Sequence, residues 1–384
     1  MIIMIITVVC DFLGEGHNGT TLAAMNLIRS LRQRGHTVRV VCSDEERIDG
    51  QECYVVKKMH VGPLKGYFRK NGVTPSWPDR DVIARALDGA DAVHVMTPFP
   101  VGNYAARAAE KAGIPITAGF HCQAENFTSH IFMKNFKPAN VAAYKVFWHK
   151  LYRRVNAVHY PSQFIREVFE KYGGKTNAYV ISNGVGKEFV PREKREDGSG
   201  EYKILFTGRY SREKSHRILI DAADKSRHRE KIRLIFAGEG PLKDELQRKA
   251  AKLPLMPVFR FFSREELVDV INSADLYVHP AEIEIEAIAC LEAIACGAVP
   301  VISDSQRSAT RHFAIDDKNL FRCNDSDDLA KKIDYWLDHP EERARRGREY
   351  EDYAKQFDFD LCMDRMEQMI VDTVEKAKEG KNHA

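Results

Sequence analysis

The chain has 384 residues, 44% of them hydrophobic and 29% charged, which supplies core for two ordinary domains and excludes a disordered chain. Its 24 glycines and 15 prolines exclude a fibrous repeat, and no apolar run reaches the ~18–20 residues of a bilayer span. The net charge of +3 is split: residues 1–190 carry 24 Lys plus Arg against 16 Asp plus Glu, and the remainder 34 against 39. A basic half beside an acidic half points to an anionic partner for the first, or to unevenly solvated charge.

In chain order, Ile2–Cys10 reads as a buried strand rather than a signal peptide, because no basic segment precedes it. Leu22–Arg34 carries apolar residues at helical spacing, and His36–Cys42 is a second strand. Strands follow at Ala92–Met96, Ile114–Phe120, Ala157–Tyr160 and Ala178–Ile181. Gly186–Tyr202 is charged and poor in apolar residues, as a linker is. Alternation then restarts with Lys203–Thr207, Ile232–Ala237, Val258–Phe261, Leu276–His279 and Val299–Ile302, with a capping box at Ser263–Glu266. Helical patterns over Glu341–Lys355 and Leu361–Lys378 close the chain. The class is α/β, with two doubly wound, Rossmann-like domains and an inter-domain cleft. The expected division is 1–185, a linker at 186–202, 203–360, and a helix at 361–384 packing back toward the first domain. Eight scattered cysteines without a CxxC pair argue against a zinc cage or disulfide framework and suit a reducing cytosol.

Three constellations carry chemistry. DFLGEGHNGTT (11–21) joins the first strand to the first helix; Gly14, Gly16 and Gly19 let backbone approach an anion at a helix N-terminus. A turn that binds nothing fits equally. The spacing is not GxGxxG and no acid ends strand two, so a nicotinamide cofactor is unsupported. In ILFTGRYSREKSH (204–216), Arg209 and Lys214 stand where two cations can converge on a diphosphate, the leaving group of a nucleotide sugar. A solvated basic loop is the alternative. In AEIEIEAIACLEAIACG (281–297), Glu282, Glu284, Glu286 and Glu292 lead into an apolar helix, where buried acids are costly without a polar task. Glu284 and Glu292 are two turns apart if helical, so both would face one cleft and accept from sugar or ribose hydroxyls. Metal binding is the weaker reading, since no His or Asp completes a ligand set nearby.

FTGRYSREKS, FAGEGPLKDELQ, ADLYVHPA and E-x7-E followed by AIACGAVPVI, in this order, resemble the retaining GT-B glycosyltransferases of the family 4 type. EIEIEAIACLEA and GFHCQAEN are most similar to bacterial enzymes that glucosylate diacylglycerol. The resemblance implies that Arg209 and Lys214 hold the donor diphosphate. It puts Glu292 on the ribose, Glu284 on the donor sugar and His121 beside that sugar on the acceptor side. Gly19 would admit the phosphates, and Gly238, Glu239 and Gly240 would line the base pocket. Glu286 and Ala287 replace an aromatic residue and a glycine of the family pattern, yet their backbone would still face the sugar. No cofactor and no metal are implied. UDP-glucose is the implied donor, and a front-side path needs no protein nucleophile.

His130–Arg154 mixes Lys134, Lys137, Lys145, Lys150, Arg153 and Arg154 with Phe132, Phe136, Tyr144, Phe147, Trp148 and Tyr152. Val56–Lys70 repeats the theme. Cations with aromatics suit an interfacial helix at an anionic membrane, with Trp148 among the contacts. A core-facing helix with a basic outer face fits as well. No nucleic-acid motif accompanies the charge. The expectation is a cytoplasmic hexosyltransferase, peripheral on the inner membrane face, with a lipid or glycan acceptor. A nucleotide-binding regulatory module and a sugar-phosphate phosphorylase are the alternatives from other classes.

Overall fold

The computed structural model describes residues 3–13, 19–43, 47–60, 62, 76–125, 136–193 and 198–382. The chain forms two compact units, Met1–Ser182 with Cys362–Ala384, and Asn183–Leu361.

In the first unit, β1 (Ile5–Val9), α1 (Gly19–Gln33) and β2 (Thr37–Cys42) precede a small hairpin of β3 (Arg47–Ile48) and β4 (Gln51–Glu52). Next come β5 (Tyr54–Val55), α2 (Arg80–Leu87), β6 (Ala92–Val95), α3 (Pro100–Ala112) and β7 (Ile116–Gly119). The unit continues with α4 (Lys137–Lys150), β8 (Ala157–Tyr160), α5 (Gln163–Tyr172) and β9 (Ala178–Val180). The parallel sheet runs β5-β2-β1-β6-β7-β8-β9. Its central strands are nearly continuous Val, Ile and Ala because helices cover both faces. Asp11, just beyond β1, accepts from Thr97 Oγ1 at 2.9 Å and from the N–H of Val101 at 3.1 Å, in the first turn of α3. That places a carboxylate on the positive end of the helix, yet burial still lifts its pKa to about 6.

The second unit runs β10 (Tyr202–Thr207), α6 (His216–Lys225), β11 (Ile232–Ala237), α7 (Lys243–Ala250), β12 (Val258–Arg260) and α8 (Arg264–Ser273). It continues through β13 (Leu276–His279), α9 (Ile288–Ala295), β14 (Pro300–Ser303), β15 (Leu320–Phe321), α10 (Ser326–Asp338) and α11 (Pro340–Ala354). Its parallel sheet is ordered β12-β11-β10-β13-β14-β15. Phe206, Phe236, Tyr277, Trp336 and Tyr350 are fully buried around it. The capping box at Ser263 and Glu266 starts α8. The closing helix, α12 (Phe359–Asn382), belongs to the first unit from Cys362 onward. There Glu367 meets buried His36 at 2.9 Å and Arg34 at 3.1 Å.

Candidate active site

β10 and β13 are neighbours, but the chain leaves β10 for β11 on one side and β13 for β14 on the other. At such a reversal the following loops splay apart and open a crevice beyond the carboxyl ends of the strands. Gly208 and Arg209 follow β10, with Arg209 partly exposed. A 3₁₀ turn, Arg212–Lys214, then carries Lys214 Nζ onto Glu284 Oε1, in the loop after β13. The same oxygen accepts from His279 Nε2 at 3.1 Å. Burial pushes the Glu284 carboxyl up, but the Lys214 ammonium and His279 outweigh it and bring its pKa to about 2. Glu284 is therefore ionised across the physiological range.

Each glutamate of this loop has a partner. Glu282 pairs with Arg307. The Glu284 backbone bridges Ser308, its carbonyl accepting from Ala309 N–H at 2.9 Å. The Glu286 carboxylate accepts from Asn183 N–H at 3.1 Å and from Asn183 Nδ2 at 2.6 Å. Glu284 and Glu292 do not share a helix, contrary to the spacing argument. Ala287 sits in the left-handed region at φ 64°, so α9 begins only at Ile288. Glu292, on α9, instead lies 3.7 Å from Arg264. Arg264 also pairs with Glu188 and covers the Phe189 ring at 4.9 Å. Burial raises the Glu292 pKa to about 7, because Arg264 opposes it from a distance while Glu188 adds to it.

The glycines after β11 serve a tight loop packing. A Cβ on Gly238 would lie 2.1 Å from the Gly208 carbonyl, and one on Gly240 would lie 2.6 Å from the Tyr210 backbone. Tyr210 N–H donates to the Glu239 carbonyl at 2.8 Å, and the Glu239 side chain is exposed. Gly19 is different: a Cβ there would meet nothing within 4 Å, so packing within the described residues does not require a glycine. Gly14 and Gly16 lie outside the described residues.

In the first unit, His121 is partly buried two residues beyond β7. A Cβ on Gly119 would meet its Nε2 at 2.5 Å, so the glycine makes room for the imidazole. Burial, His159 (ring centroids 5.4 Å apart) and His94 hold His121 well below its ordinary pKa, and therefore neutral.

The model for "Glycosyl transferases group 1" matches residues 189–352, and that for "Glycosyltransferase Family 4" matches 17–189. The chain belongs to the family 4 type glycosyltransferases. It is 23% identical to the alpha-monoglucosyldiacylglycerol synthase of Streptococcus pneumoniae over 304 residues, 74% of this chain and 68% of that one. It is 32% identical to a GDP-mannose-dependent phosphatidylinositol dimannoside mannosyltransferase of Mycobacterium tuberculosis over 191 residues, about half of each chain. A solved structure of Anabaena HepE in complex with UDP and glucose matches with a TM-score of 0.74 at 17% identity, over 96% of this chain and all of that one. That likeness shows the GT-B fold.

Of the two expectations for the aromatics of His130–Arg154, the core-facing one holds for Tyr144, Phe147 and Tyr152, whereas Phe136 is exposed. Asn140, Tyr144 and Phe147 on α4, and Leu151 just after it, form a buried stripe at helical spacing. Tyr144 OH donates to Glu125 at 2.7 Å, and Tyr152 is buried. Trp148 packs on Phe169 and closes over Gly174, where a Cβ would lie 2.7 Å from the indole. Arg154 is paired with Glu110 at 2.5 Å. Lys137, Lys145, Lys150 and Arg153 remain exposed, beside exposed Phe136 and Val146. Phe132, Lys134 and most of Val56–Lys70 lie outside the described residues. Among the described residues, no helix is long and apolar enough to cross a membrane, and no cluster of His, Cys, Asp and Glu is placed to hold a metal ion.

Residue-type reasoning singled out the glutamates but missed their partners: His279, Asn183, Arg307 and Arg264. For His279 a signal existed. Tyr277-Val-His279 on a strand puts two polar-tipped rings on one face.

Proposed function

We propose that this glycosyltransferase moves glucose from UDP-glucose to diacylglycerol at an anionic membrane surface, with retention at the anomeric carbon. The observation that carries the reading is the Lys214–Glu284 pair at the strand reversal, with Arg209 on the same loop as Lys214. A diphosphate arriving beyond β10 competes for Lys214 and releases Glu284 to accept from sugar hydroxyls. Arg209 and Lys214 then neutralise the charge that grows on the leaving phosphate, and no metal is needed for that task. Glu292 accepts from the ribose. Neutral His121 lies beside the sugar, able to donate or accept a hydrogen bond. In a front-side path the acceptor oxygen bonds to the anomeric carbon as the bond to the phosphate oxygen breaks. That oxygen takes the acceptor proton.

The acceptor reading draws support from the name of the pneumococcal relative and from the exposed cations of α4. Each Lys or Arg near an anionic surface contributes about 1 kcal/mol, so four acting together bind usefully. The test is mass analysis of products from UDP-glucose and GDP-mannose with diacylglycerol vesicles, polyprenyl phosphates and soluble sugars. An α-glucosyl diacylglycerol is expected. Transfer confined to another acceptor, or only from GDP-mannose, overturns the corresponding half of the reading. Changing Lys137, Lys145, Lys150 and Arg153 to Glu should abolish salt-sensitive co-sedimentation with anionic vesicles. Unchanged co-sedimentation removes the surface from the argument.

A further inference from the structure

β10 and β13 pair in parallel with Leu205 opposite Tyr277. Side chains two apart on a strand share a face. Thr207 therefore stands beside Tyr277 and His279 at the carboxyl end of the sheet. The three are buried and joined: Thr207 Oγ1 lies 2.9 Å from Tyr277 OH, and Tyr277 OH lies 3.1 Å from His279 Nδ1. His279 Nε2 lies 3.1 Å from Glu284 Oε1, which Lys214 also contacts.

The chemistry of these groups gives the chain one direction. Burial lowers the His279 pKa, which keeps the ring neutral with a single N–H. Glu284 is ionised and can only accept, so that N–H is on Nε2. Nδ1 must then accept, and its partner is the Tyr277 hydroxyl. The Tyr277 proton being committed, its oxygen accepts from Thr207. Every proton points toward the carboxylate, and such chains strengthen one another in a low-dielectric interior.

We infer that His279, set in its Nε2–H tautomer by Tyr277, is a positioning residue that fixes the Glu284 carboxylate for the donor sugar. The need is physical. When a diphosphate draws Lys214 away, Glu284 loses its cation and would otherwise be free to rotate or take up a proton. The His279 N–H holds one oxygen in place and leaves the other to accept from the sugar. Thr207 and Tyr277 do not reach the sugar; they act through His279. This inference rests on the proposed role of Glu284.

The experiment compares His279→Phe, His279→Gln and Tyr277→Phe with Glu284→Ala, using the full-length protein. The readouts are kcat and KM for the donor, the Kd for UDP, and thermal stability. The glutamine amide nitrogen occupies roughly the place of Nε2 and can donate to Glu284, whereas phenylalanine cannot. His279→Phe should lower kcat by about 10–100-fold while the Kd for UDP changes less than about threefold. His279→Gln should recover most of that loss, and Tyr277→Phe should lower kcat by a smaller factor. If His279→Phe turns over like the wild type while Glu284→Ala is inactive, the relay has no role and the reading of Glu284 stands. If His279→Gln is as impaired as a folded His279→Phe, donation to Glu284 is not what His279 supplies. If Glu284→Ala itself is fully active, the proposed function of this site fails first.

Discussion

Glu284 and Glu292 stand eight residues apart, both nearly excluded from solvent, and end in opposite electrostatic states. Glu284 has an ammonium on its oxygen and an imidazole N–H beside it, and its pKa falls to about 2. Glu292 has a guanidinium only at 3.7 Å, shared with Glu188, and its pKa rises to about 7. Burial penalises both; the partner's distance decides which sign survives. The loop after β13 therefore holds a permanent anion, and α9 a carboxyl that is half protonated near neutrality. On the proposed function the first faces the donor sugar, whose charge changes, and the second the nucleoside, which does not react.

The largest effect should come from breaking the first pair. Lys214→Ala leaves Glu284 buried with only His279, and on the proposed function it removes a cation from the diphosphate. Loss of the charge-assisted contact should cost ~1.5–3 kcal/mol of transition-state stabilisation, roughly 10–150-fold in kcat/KM. Arg209→Ala should fall in the same range, but without the rise in the Glu284 pKa that Lys214→Ala brings. Initial-rate kinetics on folded variants check both, and near-normal turnover with both replaced would remove the diphosphate assignment.

The second pair is sharpened by pH. Glu292 ionises at 4.5 in the unfolded chain and at about 7 in the folded one. The proton it keeps stabilises the fold below 4.5, and that stabilisation is lost as pH rises through 7. The shift is equivalent to about 3 kcal/mol. Asp11, raised from 3.8 to about 6, adds a slope of the same sign at lower pH. Glu284 works oppositely, losing its contribution only as pH falls toward 2. Glu292→Gln should therefore flatten the pH dependence of thermal stability between pH 5 and 8. It should also weaken donor binding more than turnover, whereas Glu284→Ala mainly lowers kcat. An unaltered stability profile in Glu292→Gln would show that another group carries the titration.

Much of the frame was legible. β1, β10 and β11 carry apolar cores such as Ile204–Phe206 and Leu234–Ala237 because helices cover both faces of a parallel sheet, and strands of that kind announce themselves. The cations after β10 and the acids after β13 were legible as residue types. Their pairing was not, because Lys214 and Glu284 are 70 residues apart and meet only through the strand order. The start of α9 was hidden for a local reason: EIEIEAIACLEA offers no glycine or proline to mark the break. For α4 and the residues just after it the sequence left two readings open, and the core-facing one holds for Tyr144, Phe147 and Tyr152. Tyr144, Phe147 and Leu151 fall on one helical stripe, and a stripe of that width is a core face.

The break at Ala287 is also the smallest test of the comparison. It separates the loop of Glu284 from the helix of Glu292, and it does so with an alanine at φ 64° and ψ 61°. A side chain there crowds the following carbonyl and costs ~1–2 kcal/mol, a cost glycine escapes, although glycine also gains freedom in the unfolded chain. Ala287→Gly should then raise stability by about 1 kcal/mol or less, a few degrees in melting temperature. The alanine methyl is nearly buried, so the gain is trimmed by lost packing. Turnover should stay close to wild type if the loop keeps its conformation, since Glu284 remains fastened to Arg307 and Ala309 by backbone bonds. A fall in kcat without loss of stability would mean that the strained alanine itself holds Glu284 in register. The separation of the two glutamates would then depend on side-chain bulk at 287 as well as on backbone conformation.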